Sequence, residues 1–171
     1  MRKKDRKRQR RQVNKAVRIK HKPQRLDVAD KRDVRTQFAA LCYRVRDGKL
    51  QVLMITSRGS KRWIIPKGWP LDGETPAHAA ATEAYEEAGV EGKISNLCLG
   101  IYSYTKTLPK GDDLPIVVAV FPLHVKRLLK KYPEAGQRKR KWVSLRKAAK
   151  MISDPELGPL ISSFDIKRLK G

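Results

Sequence analysis

The chain of 171 residues reads as an α/β domain preceded by a basic extension. Three observations predict this class: β-type runs recur from Gln37 to Val143, one alanine-rich helix interrupts them, and an apolar helical stripe closes the chain. The length suffices for a single domain with a real core.

In chain order, Phe38 to Val45 and Leu50 to Ser57 read as strands joined by a tight Asp47-Gly48 turn. Trp63-Ile64-Ile65 is a short strand entering a Pro66-Lys67-Gly68 loop. Thr75 followed by Pro76 starts a helix, because a hydroxyl caps free N–H groups and proline suits the first turn. Gly89 stops it, since glycine takes the left-handed conformation cheaply. Leu97 to Thr105 and Ile116 to Leu123 are further strands, and Trp142-Val143 is a last short one. Ser144 caps a helix through Met151. A final helix from about Pro155 shows Leu157, Leu160, Ile161 and Phe164 on one face.

Charge is distributed unevenly. The chain carries 40 lysines and arginines against 17 acids. Residues 1–36 hold 16 of the cations and 4 acids, and residues 126–150 hold 11 and 1. From Gly68 to Gly92 there is no lysine or arginine, yet Asp72, Glu74, Glu83, Glu86, Glu87 and Glu91 all lie there. An uncompensated acidic island in so basic a chain suits a cation site better than a solubility device.

Within the island, Ala77, Ala80, Ala81, Ala84 and Ala88 recur at helical spacing and allow close packing. Glu83, Glu86 and Glu87 stand at i, i+3 and i+4 on the adjoining face. Like charges so placed each cost about 0.2–0.5 kcal/mol even when exposed. The bland alternative is a solvated acidic face. Three hard oxygen ligands on one rigid element instead favour Mg²⁺ or Mn²⁺, with waters and substrate phosphates completing the shell.

These residues resemble the Nudix box, G-x5-E-x7-R-E-U-x-E-E-x-G-U, where U is aliphatic. Gly68, Glu74, Glu83, Glu86, Glu87, Gly89 and Val90 fall on its fixed positions, and Ala84 on an aliphatic one. Thr82 departs from it, standing where the family has an arginine that steadies the first helix glutamate. The resemblance implies an α/β/α sandwich around a mixed sheet, spanning residues 34–152. Residues 153–171 would pack on that domain as a C-terminal helix, and residues 1–33 would form a flexible basic extension.

Nudix enzymes hydrolyse phosphoanhydrides, so the implied activity is divalent-metal-dependent pyrophosphohydrolysis. By resemblance Glu83 and Glu87 ligate metal, and Glu86 is a further ligand or the base that activates water. The backbone carbonyl of Lys67 is an implied ligand, while Glu74 supports the loop. The carboxylates titrate as a coupled set. Asp112 and Asp113 read either as a loop that swings over the site or as turn decoration.

The basic run Arg138-Lys139-Arg140 before Trp142, with Ser57-Arg58 before Arg62-Trp63-Ile64-Ile65-Pro66, resembles the diphosphoinositol polyphosphate phosphohydrolase branch over about residues 35–152. That branch acts on inositol pyrophosphates and diadenosine polyphosphates. Carried over, Arg58, Arg138 and Lys139 hold substrate phosphates, with Arg35 and Arg140 as further candidates. The branch's Pro-Gly-Gly-Gly loop is Pro66-Lys67-Gly68-Trp69 here. Lys67 would add a phosphate contact, and Trp69 would stack on a base or shield the loop.

The expected ligand is therefore a polyanionic small molecule, with weak nucleic-acid contact through the basic extension. An RNA 5′-pyrophosphohydrolase and a non-catalytic polyphosphate- or RNA-binding module are the alternatives. No apolar run reaches membrane or signal-peptide length, so no membrane association and a cytoplasmic location are expected. Cys42 and Cys98 lack CxxC pairing and fit buried reduced thiols. The sequence does not fix the oligomeric state.

Overall fold

The structure is a computed structural model that describes residues 35–109, 111 and 113–169. The basic extension and Asp112 lie outside the described residues. Eight strands form one mixed sheet: β1 (Thr36–Arg46), β2 (Lys49–Thr56), β3 (Trp63–Ile64), β4 (Lys67–Gly68), β5 (Val90–Ile94), β6 (Gly100–Thr107), β7 (Asp113–Leu128) and β8 (Arg140–Ser144). The main order is β3-β2-β1-β7-β5, with β4 on β1, β6 on β7 and β8 on β2. β1 and β7 run parallel, Thr36 opposite Val117 through Tyr43 opposite His124. The other pairings are antiparallel.

Helix α1 (Pro76–Ala88) covers one face, and α2 (Leu145–Met151) and α3 (Leu157–Ser162) cover the other. The alternation along β1 explains how one strand serves both layers. Phe38, Ala40 and Cys42 join the core under α1, while Ala39 and Leu41 join the core under α2 and α3. Helices on both faces of a mixed sheet make the α/β/α sandwich expected from the sequence.

The β1–β2 turn has positive φ at both Asp47 (51°) and Gly48 (70°), the combination that matches strand twist in a two-residue hairpin. Several strands depart from expectation. β4 lies in the segment expected as the Pro66-Lys67-Gly68 loop, because Lys67 and Gly68 pair with Ala39 and Phe38 of β1. β5 escaped notice because Val90-Glu91-Gly92-Lys93-Ile94 has no clean alternation, and its register shifts between Glu91 and Gly92. Gly92 lies so close to the His124 carbonyl that a Cβ would overlap it. β7 extends beyond Leu123 to Leu128, because its far half pairs with β5. Lys126 and Arg127, the first cations of the second basic stretch, thus belong to a strand.

The closing helix is shorter than expected. α3 ends at Ser162, and a 3₁₀ turn follows at Ile166–Leu169. Asp154 Oδ1 accepts from the N–H groups of Glu156 (2.9 Å) and Leu157 (3.0 Å) and so starts the helix. Leu157, Ile161 and Phe164 are buried, as the apolar stripe requires. Cys42 is buried, Cys98 half-buried, and both are free thiols. Among the described residues no helix is long and apolar enough to cross a membrane.

Candidate active site

The site is built where the last turns of α1 pass β4. Thr75 caps α1 in an extended conformation and its hydroxyl accepts from His78 N–H at 3.2 Å. Gly89 ends it at φ 63°, donating to the carbonyls of Ala84 and Tyr85. Ala77, Ala80, Ala84 and Ala88 are wholly buried against the sheet. Their small side chains let α1 lie close to β1 and β4, and that closeness brings the carboxylates to the β4 peptide.

Glu83 and Glu87, one turn apart, both reach the Lys67-Gly68 segment. Glu87 Oε2 accepts from Lys67 N–H at 3.1 Å. The Glu83 carboxylate lies against Gly68 so tightly that a Cβ there would overlap it. This is why the strand carries glycine: the requirement is close approach, since Gly68 has no positive φ. Glu86 is exposed on the same turn, and its backbone carbonyl accepts from Glu134 N–H at 3.0 Å. Among the described residues no three His, Cys, Asp or Glu side chains form a ready-made metal cluster. The converging pair is Glu83, against Gly68, with Glu87, on the Lys67 N–H. That hard-oxygen donor set suits a small divalent ion whose shell is completed by water and phosphate.

Glu87 is only 8% exposed. Burial raises its pKa, and the charges of Arg138 and Lys67 and the Lys67 N–H partly offset the effect. Lys67 responds in the opposite sense. Burial lowers its pKa, Glu87 works against that, and Arg138, Lys106 and Arg62 reinforce it. Lys67 Nζ sits 5.3 Å from the Tyr104 ring centroid, and Tyr104 donates to buried Gln37 Oε1 at 2.7 Å.

The expected substrate cations separate into two groups. Lys139 is exposed, with its backbone tied to Thr56 through bonds of 3.0 and 3.1 Å. Arg58 is exposed and 3.6 Å from Glu134, and Arg35 is exposed at the start of β1. Arg138 and Arg140 instead point inward. Arg138 donates to Glu87 (2.6 Å), Glu134 (2.8 Å) and the Thr56 carbonyl (3.1 Å). Arg140 donates to the carbonyls of Ala88 (2.8 Å) and Leu129 (3.0 Å) and stacks on Tyr132. It ties the end of α1 to the β7–β8 connection.

Other motif positions have local partners. Glu74 pairs with His78 one turn along. Thr82 donates back to the His78 carbonyl at 3.1 Å and lines a shallow groove with His78, Ala81 and Tyr85 on another side of α1. Trp69 packs at the edge of the α2–α3 core, with Lys106 Nζ 5.4 Å from its ring. Asp113 begins β7 and accepts from Thr107 Oγ1 at 3.0 Å. Sequence reasoning passed over Glu134 and Thr56. Glu134 had a visible signal, being the one acid among 11 cations in residues 126–150. Thr56 had none, because its role depends on strand pairing.

The comparisons with known proteins bear on the family and the fold. The family model described as NUDIX domain matches residues 35–164. Diphosphoinositol polyphosphate phosphohydrolase 2 of Rattus norvegicus is 32% identical over 136 residues, covering 78% of this chain and 72% of its own. Diphosphoinositol polyphosphate phosphohydrolase 3-alpha of Mus musculus is 33% identical, with 78% and 79% covered. Among solved structures, the E. coli dihydroneopterin triphosphate pyrophosphohydrolase superposes with a TM-score of 0.61 at 19% identity, covering 78% of this chain and 97% of its own. The C. elegans Ap4A hydrolase binary complex gives 0.56 at 23%, with 80% and 96% covered. A family model spanning most of the chain, relatives at a third identity and a shared sandwich fold lead to one statement: the chain belongs to the Nudix family of hydrolases.

Proposed function

We propose that this Nudix hydrolase is a divalent-metal-dependent pyrophosphohydrolase of highly phosphorylated small molecules, namely diphosphoinositol polyphosphates or diadenosine polyphosphates. The observation that carries the reading is that Glu83 and Glu87 both reach β4, Glu87 at the Lys67 N–H and Glu83 at Gly68, where a side chain would leave it no room. The sequence similarity to diphosphoinositol polyphosphate phosphohydrolases supports the substrate class.

In this reading Glu83, Glu87 and the Lys67 carbonyl hold Mg²⁺ or Mn²⁺, and Glu86 beside them joins the set or takes the proton of the attacking water. When bound, the ion supplies charge neutralisation and polarises the phosphoryl oxygens. The remaining task is positioning, because phosphoryl transfer demands alignment and compensation of spread negative charge. The Lys67 ammonium lies over the Tyr104 ring, and its charge is felt by Glu87. Arg35, Arg58 and Lys139 supply exposed cations that reach a polyanion by charge-assisted hydrogen bonds.

The test is a substrate panel of diphosphoinositol polyphosphates, diadenosine polyphosphates and 5′-triphosphorylated RNA, each with Mg²⁺ and Mn²⁺. Turnover of either small-molecule class is expected with metal and absent with chelator. Turnover confined to RNA would replace this reading with an RNA 5′-pyrophosphohydrolase. Binding without turnover across the panel would replace it with a non-catalytic module.

A further inference from the structure

The departure at Thr82 removes the arginine that in the family steadies the first helix glutamate, here Glu83; a different guanidinium, that of Arg138, meets Glu87. Arg138 arrives from 51 residues beyond Glu87 in the chain, and its side chain is 5% exposed. Each of its three nitrogens has a partner on a different segment. Nη2 meets Glu87 on α1, Nη1 meets the Thr56 carbonyl at the end of β2, and Nε meets Glu134 in the β7–β8 connection. Glu134 is itself anchored, since its N–H donates to the Glu86 carbonyl.

This fork fixes one oxygen of Glu87, and the Lys67 N–H fixes the other. The carboxylate plane is thereby set from two sides, with lone pairs on both oxygens left for a cation. Thr82 contributes nothing to that orientation, because its hydroxyl is committed to the His78 carbonyl. A phosphate could claim Arg138 only by breaking buried, charge-assisted bonds and leaving Glu87 without its cation.

We propose that Arg138 is a positioning residue, braced by Glu134, which orients the Glu87 carboxylate for the divalent ion from outside the motif. The proposal rests on the metal-dependent reading given above. Partners that orient a ligating carboxylate typically contribute 10–100-fold in metal affinity or activity.

The full chain carrying Arg138→Lys, and separately Glu134→Gln, is compared with wild type by Mn²⁺ calorimetry and by steady-state kinetics on diadenosine tetraphosphate with Mg²⁺. A compact ammonium cannot reproduce the planar fork whose three nitrogens reach three separate segments. Arg138→Lys is therefore expected to weaken Mn²⁺ binding roughly 10–100-fold and to lower kcat comparably, with KM little changed. Glu134→Gln should move both quantities the same way by less. Unchanged Mn²⁺ affinity and kcat with a raised KM would overturn the proposal and make Arg138 a phosphate ligand. If Arg138→Lys does not fold, a folded Glu134→Gln with wild-type Mn²⁺ affinity overturns it equally. A wild-type protein that turns over substrate without binding either metal would sink the underlying reading instead.

Discussion

On one face of the sheet, α1 lies on Ala77, Ala80, Ala84 and Ala88. On the other, α2 brings Ala148 and α3 brings Leu157 and Ile161 against a core containing Tyr102, Ile116 and Val118. A buried leucine or isoleucine contributes about 1.5–3 kcal/mol, far more than an alanine methyl. The α1 face therefore gives up burial energy for proximity, and proximity is what lets Glu83 and Glu87 touch β4. The α2–α3 face supplies stability and holds none of the candidate carboxylate ligands. In the proposed reading, activity and stability are separable by face.

Substitutions test that separation. The largest effect is expected from Glu83→Gln and Glu87→Gln. Each should lower metal-dependent phosphate release by more than the roughly hundredfold that a supporting residue costs, while circular dichroism reports an intact fold. Turnover like wild type in both would end the assignment of the α1 face to function. On the opposite face, Ile161→Ala should destabilise by about 2–5 kcal/mol in urea melts and leave kcat per folded molecule unchanged. A fall in kcat at full folding would show the two faces coupled.

Gly68→Ala lies at the junction. The added methyl must push the Glu83 carboxylate aside, so Mn²⁺ affinity should fall by about tenfold or more, with a smaller change in melting temperature. Equal affinity in calorimetry would show that the carboxylate moves without consequence.

Acidity provides a gentler probe. Burial raises the Glu87 pKa, so this group takes up its proton at a higher pH than an ordinary glutamate near 4.3. Mn²⁺ affinity should weaken as pH falls through that raised value. The stability sign is opposite. A folded-state pKa above the unfolded one makes this group's stabilising contribution largest at low pH, and that contribution is lost as pH rises through the folded value. Metal-free melts and Mn²⁺ titrations along one pH series should therefore diverge. Parallel trends would contradict the burial of Glu87.

The smallest effect belongs to the exposed rim. Lys139→Ala should raise KM a few-fold, with the difference shrinking in salt because exposed charges are screened. A change in melting temperature would mean that the side chain does more than face solvent.

Much of this was legible locally. Thr75-Pro76 and Gly89 set the ends of α1, the i, i+3, i+4 glutamates gave its charged face, and Asp47-Gly48 gave the hairpin. Each rests on conformational preferences within a few residues. β5 was not legible, because pairing with the far half of β7 sustains a segment with weak strand character. The cations were the least legible. Arg138, Lys139 and Arg140 are adjacent and chemically alike in sequence, yet two turn inward to protein oxygens and one faces water.

By its sequence alone, then, this protein determined the acidic helix, its caps, its alanine bed and the family to which the motif belongs. Tertiary structure decided which cation meets which carboxylate, since the Arg138–Glu87 contact joins a turn before β8 to the last turn of α1. Chain spacing encodes which side chains share an element. Which elements share a site depends on how the layers close, and the solvation of every charge there is set by that closure.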